Sequence, residues 1–204
     1  MSASTIRRDI LNLPNMLTLA RIVVIPLAVY LLALRTPTAS LWAGTIFGLA
    51  SATDYFDGYL ARKLNLVSLT GKFLDPLADK LMVAATLIQL TAMGWIEPWI
   101  PILLLSRELA VQGLRQIASG EGMVIAAGQG GKWKTAFQLI GLIGLLSHYT
   151  YTINFGLTIT DINLHRVGWW MLVLSIAFSL YSGAEYFVKF LAAIDARSET
   201  GSKL

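Results

Sequence analysis

Six stretches of this chain are long and apolar enough to cross a lipid bilayer, and that repetition constrains its fold more than any motif does. A spanning helix needs about 20 mostly apolar residues. The windows run over residues 14–34, 40–62, 74–95, 98–118, 133–151 and 166–192. Between them lie turn residues or polarity: Arg35 to Ser40 with Pro37, Lys63 to Gly71, Gly94 to Pro101, the glycine-rich Ser119 to Lys132, and Thr152 to His165. Only 14% of the 204 residues are charged, against about 25% in an average soluble domain. The reading is therefore an all-α integral membrane protein with six transmembrane helices. It forms one domain over residues 1–204, with an interfacial N-terminal segment at 1–12. Arg7 and Arg8 are not followed by a short apolar core with a small-residue cleavage site, so the N terminus is expected to be retained. With no cysteine, disulfides and thiolate chemistry are excluded, but no compartment is implied.

The cations set the expected orientation. With the N terminus cytoplasmic, that side receives twelve: Arg7, Arg8, Arg62, Lys63, Lys72, Lys80, Arg115, Lys132, Lys134, Lys189, Arg197 and Lys203. The other side receives only Arg35 and Arg166, and Arg21 and Arg107 fall inside spans. The positive-inside rule then places both termini in the cytoplasm. Trp42, Trp95, Trp99, Trp169 and Trp170 sit near the poorly charged side, where an interfacial aromatic belt belongs. The net charge of +4 favours anionic lipid rather than nucleic acid.

Four of the twelve acids stand close together at helical spacing. Asp54, Asp57, Gly58 and Ala61 lie at i, i+3, i+4 and i+7, while Gly71, Asp75 and Asp79 lie at i, i+4 and i+8. Four carboxylates gathered at a membrane boundary raise one another's pKa unless a cation neutralises them. An all-oxygen donor set suits Mg²⁺, Mn²⁺ or Ca²⁺ rather than zinc, and a Mg²⁺ with open positions takes phosphate oxygens. Small residues between the acids let a bulky ligand approach the backbone. Taken singly, Gly58, Ala61 or Gly71 is as readily explained by close helix packing.

The pattern D-x-x-D-G-x-x-A-R-x(8)-G-x-x-x-D-x-x-x-D from Asp54 to Asp79 resembles the signature of the CDP-alcohol phosphotransferases, matching it at every defined position. The resemblance implies a six-helix, usually dimeric membrane enzyme that holds one or two divalent ions, Mg²⁺ or Mn²⁺, at the cytoplasmic membrane face. On that likeness Asp54, Asp57 and Asp75 are chiefly metal ligands, and Asp79 is a ligand and the general base. The CDP-lipid site falls on Asn15, Thr18, Arg21, Asp54, Gly58, Ala61, Arg62, Thr70 and Gly71. The implied chemistry is transfer at a diphosphate: metal neutralises its oxygens, the base takes a proton from an attacking hydroxyl, and CMP leaves. Arg62 adds a cation beside the diphosphate, although a solvated helix-end arginine reads the same way without the motif.

The first helix and the later spans carry further candidates, the first for the CDP-lipid and the later ones for the acceptor. Asn15, Thr18 and Arg21 form a stripe at steps of three behind Pro14, a residue suited to a helix start. Arg107 and Arg115 are two helical turns apart, and paired arginines point to an anionic acceptor. An Arg107–Glu108 ion pair is the plainer alternative. Gly128-Gln-Gly130-Gly131-Lys132-Trp-Lys134-Thr135 feeds cations into a helix start, as phosphate sites do. It is not a Walker A loop, since Trp133 follows Lys132; alone it would read as lysines anchored to lipid headgroups. Together, L-P-N-x-L-T-x-x-R, S-R-E, G-L-R and G-K-x-K-T resemble the family members that use CDP-diacylglycerol and sn-glycerol 3-phosphate to make phosphatidylglycerophosphate. This implies an acceptor-phosphate site of Arg107, Arg115, Lys132, Lys134 and Thr135 in a bacterial inner membrane, with an organelle membrane as the alternative.

Rival readings are a sister activity with inositol phosphate, phosphatidylglycerol or serine as acceptor, and a divalent-cation transporter. The transporter explains the acids but not Gly58, Ala61, Arg62 and Gly71. His148 and His165 fall away from the acids and are poor catalysts. Gly44 and Gly48 read as packing within one chain. Glu185 is an intramembrane acid without an assigned role.

Overall fold

The computed structural model describes the backbone of residues 13–63, 69–123, 125–126, 128–154 and 159–201, and within these all side chains except 13–15, 17, 54–63, 69–76, 153 and 198–201. The described elements are α1 (Leu13–Ala33), α2 (Pro37–Lys63), α3 (Leu69–Ala92), α4 (Trp99–Gly120), α5 (Gln129–Ser147), β1 (Thr150–Asn154), β2 (Ile159–Asn163) and α6 (Leu164–Gly201). Each expected span thus corresponds to one helix.

The helix ends follow from local chemistry. Helix α3 closes on Gly94 at φ 72, with Gly94 N bonded to Thr91 O and Trp95 N to Leu90 O. Helix α4 repeats the device: Gly122 stands at φ 69, its N–H bonds Ser119 O, and Met123 N bonds Ala118 O. Glycine tolerates this left-handed step, and the paired bonds satisfy the terminal carbonyls.

The hairpin corrects the all-α expectation. Helix α5 stops at Ser147, short of residue 151, and β1 pairs antiparallel with β2 from Thr150↔Asn163 to Asn154↔Ile159. The polarity of 152–165 marked a break, but Thr-Tyr-Thr-Ile and Ile-Thr-Asp-Ile are rich in β-formers. Pairing them satisfies backbone groups that a loop would leave to solvent. The Tyr149 and Tyr151 hydroxyls donate to Arg35 O (2.7 Å) and Pro37 O (2.9 Å), tying the hairpin to the α1–α2 turn. Two further bounds moved: α3 starts five residues before the apolar window, and α6 runs nine residues past its window.

The chain forms two compact units, Met1–Ile96 with Leu142–Trp169, and Glu97–Gly141 with Trp170–Leu204. In the first, α1 packs along both α2 and α3, around buried Leu32, Phe47, Met82, Leu87 and Leu90. Here Gly44 and Gly48 pack within the chain, Gly44 on Ser147 and Gly48 on Ile143. Gly144 admits the backbone of α6: a Cβ there would lie 2.9 Å from Gly168 Cα and 3.0 Å from Leu164 O. In the second unit Ile100, Leu104, Val111, Leu172, Ile176 and Phe190 are buried.

Among the described residues one helix, Leu164–Arg197, is long and apolar enough to cross a membrane, and Thr18–Ala33 is a shorter apolar helix. Polar residues within the other helices, such as Arg107 and Glu108 in α4, interrupt their apolar runs. Large apolar side chains are nevertheless exposed in both units: Val23, Leu49, Ile88, Ile102, Leu109, Tyr181 and Val188 are each 60% or more exposed.

Candidate active site

In the first unit, backbone geometry puts the signature on two helices. Asp54, Asp57, Gly58, Ala61 and Arg62 lie in the second half of α2, and Thr70, Gly71, Asp75 and Asp79 in the first half of α3. The early start of α3 sets Gly71, Asp75 and Asp79 on one continuous helix, which preserves their i, i+4, i+8 spacing. The Asp79 side chain is exposed beside buried Ala78. The side chains of Asn15, Asp54, Asp57, Ala61, Arg62, Thr70 and Asp75, and the surroundings of Gly58 and Gly71, lie outside the described residues. Among the described residues no group of three or more potential ligands forms a metal centre.

Helix α1 contributes the described portion of this region. Thr18 is 1% exposed and Arg21 2%. A buried guanidinium must be matched by acceptors, and Arg21 Nε donates to Ala50 O of α2 at 3.2 Å. The Thr53 hydroxyl donates to the same carbonyl at 2.8 Å. Ala50 lies one turn before Asp54, so Arg21 fixes the turn of α2 that leads into the acids. The sequence placed Arg21 toward the CDP-lipid; its described bond is to backbone.

The second unit holds the cationic residues. Arg107, on α4, donates from Nε to Ser179 O (2.8 Å) and from Nη2 to Ser182 Oγ (2.7 Å), both on α6. Gly183 makes room for it, since a Cβ there would stand 3.2 Å from Nε. The remaining nitrogen, Nη1, faces Glu108 Oε2 at 3.7 Å. Lys134, buried near the start of α5, donates from Nζ to that same Glu108 oxygen in a short contact. One carboxylate oxygen thus meets two cations. Arg115 lies over the Tyr186 ring, 5.7 Å from its centroid.

The glycine-rich segment works by close approach. A Cβ on Gly130 would meet Ser182 Cβ at 3.1 Å and the Tyr181 ring at 3.2 Å, and one on Gly128 would collide with the Glu185 carboxylate. These glycines let the start of α5 lie against α6, which carries Lys134 to Glu108. Lys132 and Thr135 are exposed, and the Thr135 hydroxyl donates to Gly131 O at 3.1 Å. Glu185 also pairs with Lys189 at 2.6 Å. Sequence reasoning missed Ser179, Ser182 and Gly183; their only signal was Ser-x-x-Ser-Gly in an apolar helix.

Comparison with known proteins agrees with the signature. The chain is 42% identical over 190 residues to the Bacillus subtilis (strain 168) CDP-diacylglycerol--glycerol-3-phosphate 3-phosphatidyltransferase, covering 87% of this chain and 94% of that protein. A Rickettsia bellii (strain RML369-C) protein of the same name is 41% identical over 131 residues, 64% of this chain and 72% of its own. A Mycobacterium tuberculosis (strain ATCC 25618 / H37Rv) protein named "Probable phosphatidylglycerophosphate synthase" is 34% identical over 203 residues, 96% of this chain and 90% of its own. The family model for CDP-alcohol phosphatidyltransferase matches residues 11–181, which include the whole aspartate signature and Arg107, Glu108, Arg115 and Lys134. The chain belongs to the CDP-alcohol phosphatidyltransferase family.

Proposed function

We propose that this protein transfers the phosphatidyl group of CDP-diacylglycerol to sn-glycerol 3-phosphate, giving phosphatidylglycerophosphate and CMP. The observation that carries the reading is the 42% identity, over 87% of the chain, to a relative named for this reaction. The charge arrangement supports it: Arg107 and Lys134 converge on one anion, as recognition of a phosphorylated acceptor requires.

Asp54, Asp57, Asp75 and Asp79 would hold one or two Mg²⁺ or Mn²⁺ ions, for which four carboxylates are an apt donor set. Bound there, the metal would neutralise the diphosphate and improve its leaving group. Asp79 takes the proton of the attacking glycerol hydroxyl. That oxygen bonds to the lipid-linked phosphorus, the bond from this phosphorus to the bridging oxygen breaks, and CMP departs with the electron pair. Thr18, Arg21, Gly58, Ala61, Arg62, Thr70 and Gly71, with Asn15, serve the CDP-lipid, and the described bond of Arg21 gives it the role of positioning α2. Arg107, Arg115 and Lys134 hold the acceptor phosphate, with exposed Lys132 and Thr135 beside them.

The chain is read as a six-span protein of the bacterial inner membrane, with both termini and the active site cytoplasmic, and as a homodimer. The exposed apolar flanks of its helices favour lipid, as do exposed Trp42, Trp99 and Trp170 near helix starts. The test is turnover of CDP-diacylglycerol and radiolabelled glycerol 3-phosphate with Mg²⁺. Labelled phosphatidylglycerophosphate and stoichiometric CMP are expected; turnover of inositol phosphate with none of glycerol 3-phosphate overturns the assignment.

A further inference from the structure

Within the second unit, the guanidinium of Arg107 is held by groups of the chain itself. Two of its three nitrogens are held by the Ser179 carbonyl and the Ser182 hydroxyl. The Ser182 hydroxyl is itself anchored, donating to Phe178 O at 2.7 Å. Gly183 removes the side chain that would push Arg107 away. Only Nη1 is directed elsewhere, and it faces the oxygen that receives Lys134 Nζ. Lys134 is 8% exposed, so its charge is held in place rather than swept through solvent. Two fixed cations converging on one oxygen form an oxyanion seat, and the occupant is a carboxylate of the chain itself.

Glu108 differs from the cations that hold it. Its side chain is 31% exposed, against 14% for Arg107 and 10% for Lys134. A carboxylate on a flexible stem can swing outward, and a phosphate offers more acceptor oxygens at higher charge for the same donors. We propose that Glu108 is a resident placeholder: it fills the Arg107–Lys134 seat when no acceptor is bound and is displaced by the acceptor's phosphate. This inference rests on the acceptor assignment above. It makes Glu108 a specificity-determining residue, because an alcohol without a phosphate cannot displace it. It also keeps buried Lys134 and partly buried Arg107 neutralised between turnovers, where leaving them unpaired would be costly.

An internal competitor raises the apparent dissociation constant in inverse proportion to the fraction of time the seat is free. Glu108→Gln keeps the shape and removes the charge. The KM for glycerol 3-phosphate should therefore fall about three- to tenfold, while the KM for CDP-diacylglycerol stays within about twofold. Inorganic phosphate should also inhibit the variant at correspondingly lower concentration. If Glu108 only braces the two cations, Glu108→Gln instead raises the KM for glycerol 3-phosphate and weakens phosphate inhibition, and the proposal fails. Should this variant not fold, Glu108→Asp, which withdraws the carboxylate by one methylene, carries the same expectation with smaller amplitude. Wild-type protein assayed alongside separates the two levels. No turnover of glycerol 3-phosphate by wild type refutes the acceptor assignment, whereas wild-type turnover with an unchanged or raised KM in both variants refutes the placeholder alone.

Discussion

At the scale of single residues, Asp79 stands apart from the other acids of the signature. In the proposed mechanism it takes the proton, so its loss should be felt in turnover more than in binding. Asp79→Asn is expected to lower kcat about 10²- to 10⁴-fold, the usual contribution of a general base, while CDP still protects the protein from proteolysis when Mg²⁺ is present. Near-normal turnover by this variant would remove Asp79 from the role. Single residues also mark where sequence reading stops. The eight-residue gap and helical spacing between Asp54 and Asp79 were legible because they are properties of the chain itself. The bond from Arg21 to a backbone carbonyl 29 positions away was not, since any carbonyl reads alike in a sequence. Nor was the convergence of Lys134 on Glu108, 26 positions apart, which depends on how closely the glycines let α5 approach α6.

At the scale of elements, helix contacts rest on glycines, and the available space sorts those that matter from those that do not. A methyl on Gly144 would meet the backbone of Gly168 and Leu164, which cannot yield as a side chain end can. Gly144→Ala should cost about 1–3 kcal/mol by overpacking, read as a lowered melting temperature in detergent. Gly113 in α4 has nothing within 4 Å of its Cβ position, so Gly113→Ala should be neutral or slightly stabilising through helix propensity. Equal effects at the two positions would contradict this reading of the packing.

The junction of α5 with the hairpin makes a second prediction at this scale. Just past α5, His148 stacks on Trp95 with centroids 3.5 Å apart and meets His165 edge-on at 4.7 Å. Burial, then the neighbouring His165, lowers its pKa from 6.5 to about 4. The unfolded chain therefore binds this proton first as the medium is acidified, so the stabilisation is full above the unfolded pKa and is lost as pH falls from 6.5 towards about 4. Melting temperature should drop across that window, and His148→Asn, a residue that tolerates the φ of 54 found there, should flatten the drop. An unchanged slope in the variant would assign the acid sensitivity elsewhere. Helices were legible here because apolar length announces them. The hairpin was not, because its β-branched alternation lies in a segment whose polarity reads first as a turn.

At the scale of the whole molecule, the exposed apolar side chains and the family to which the chain belongs fit the proposed transfer from a lipid donor to a water-soluble acceptor. Membrane residence was legible from composition, and the family from one spaced motif. The acceptor rested on scattered cations, whose meaning came from the anion on which Arg107 and Lys134 converge and from the relatives named for glycerol 3-phosphate. The central claim is tested most directly by acceptor competition. Purified protein in liposomes is given CDP-diacylglycerol, Mg²⁺ and equal concentrations of glycerol 3-phosphate, inositol phosphate and serine, and the lipid products are resolved by mass. Phosphatidylglycerophosphate as the dominant product, formed one for one with CMP, is the predicted result; a dominant phosphatidylinositol phosphate or phosphatidylserine, or no CMP release at all, would contradict it.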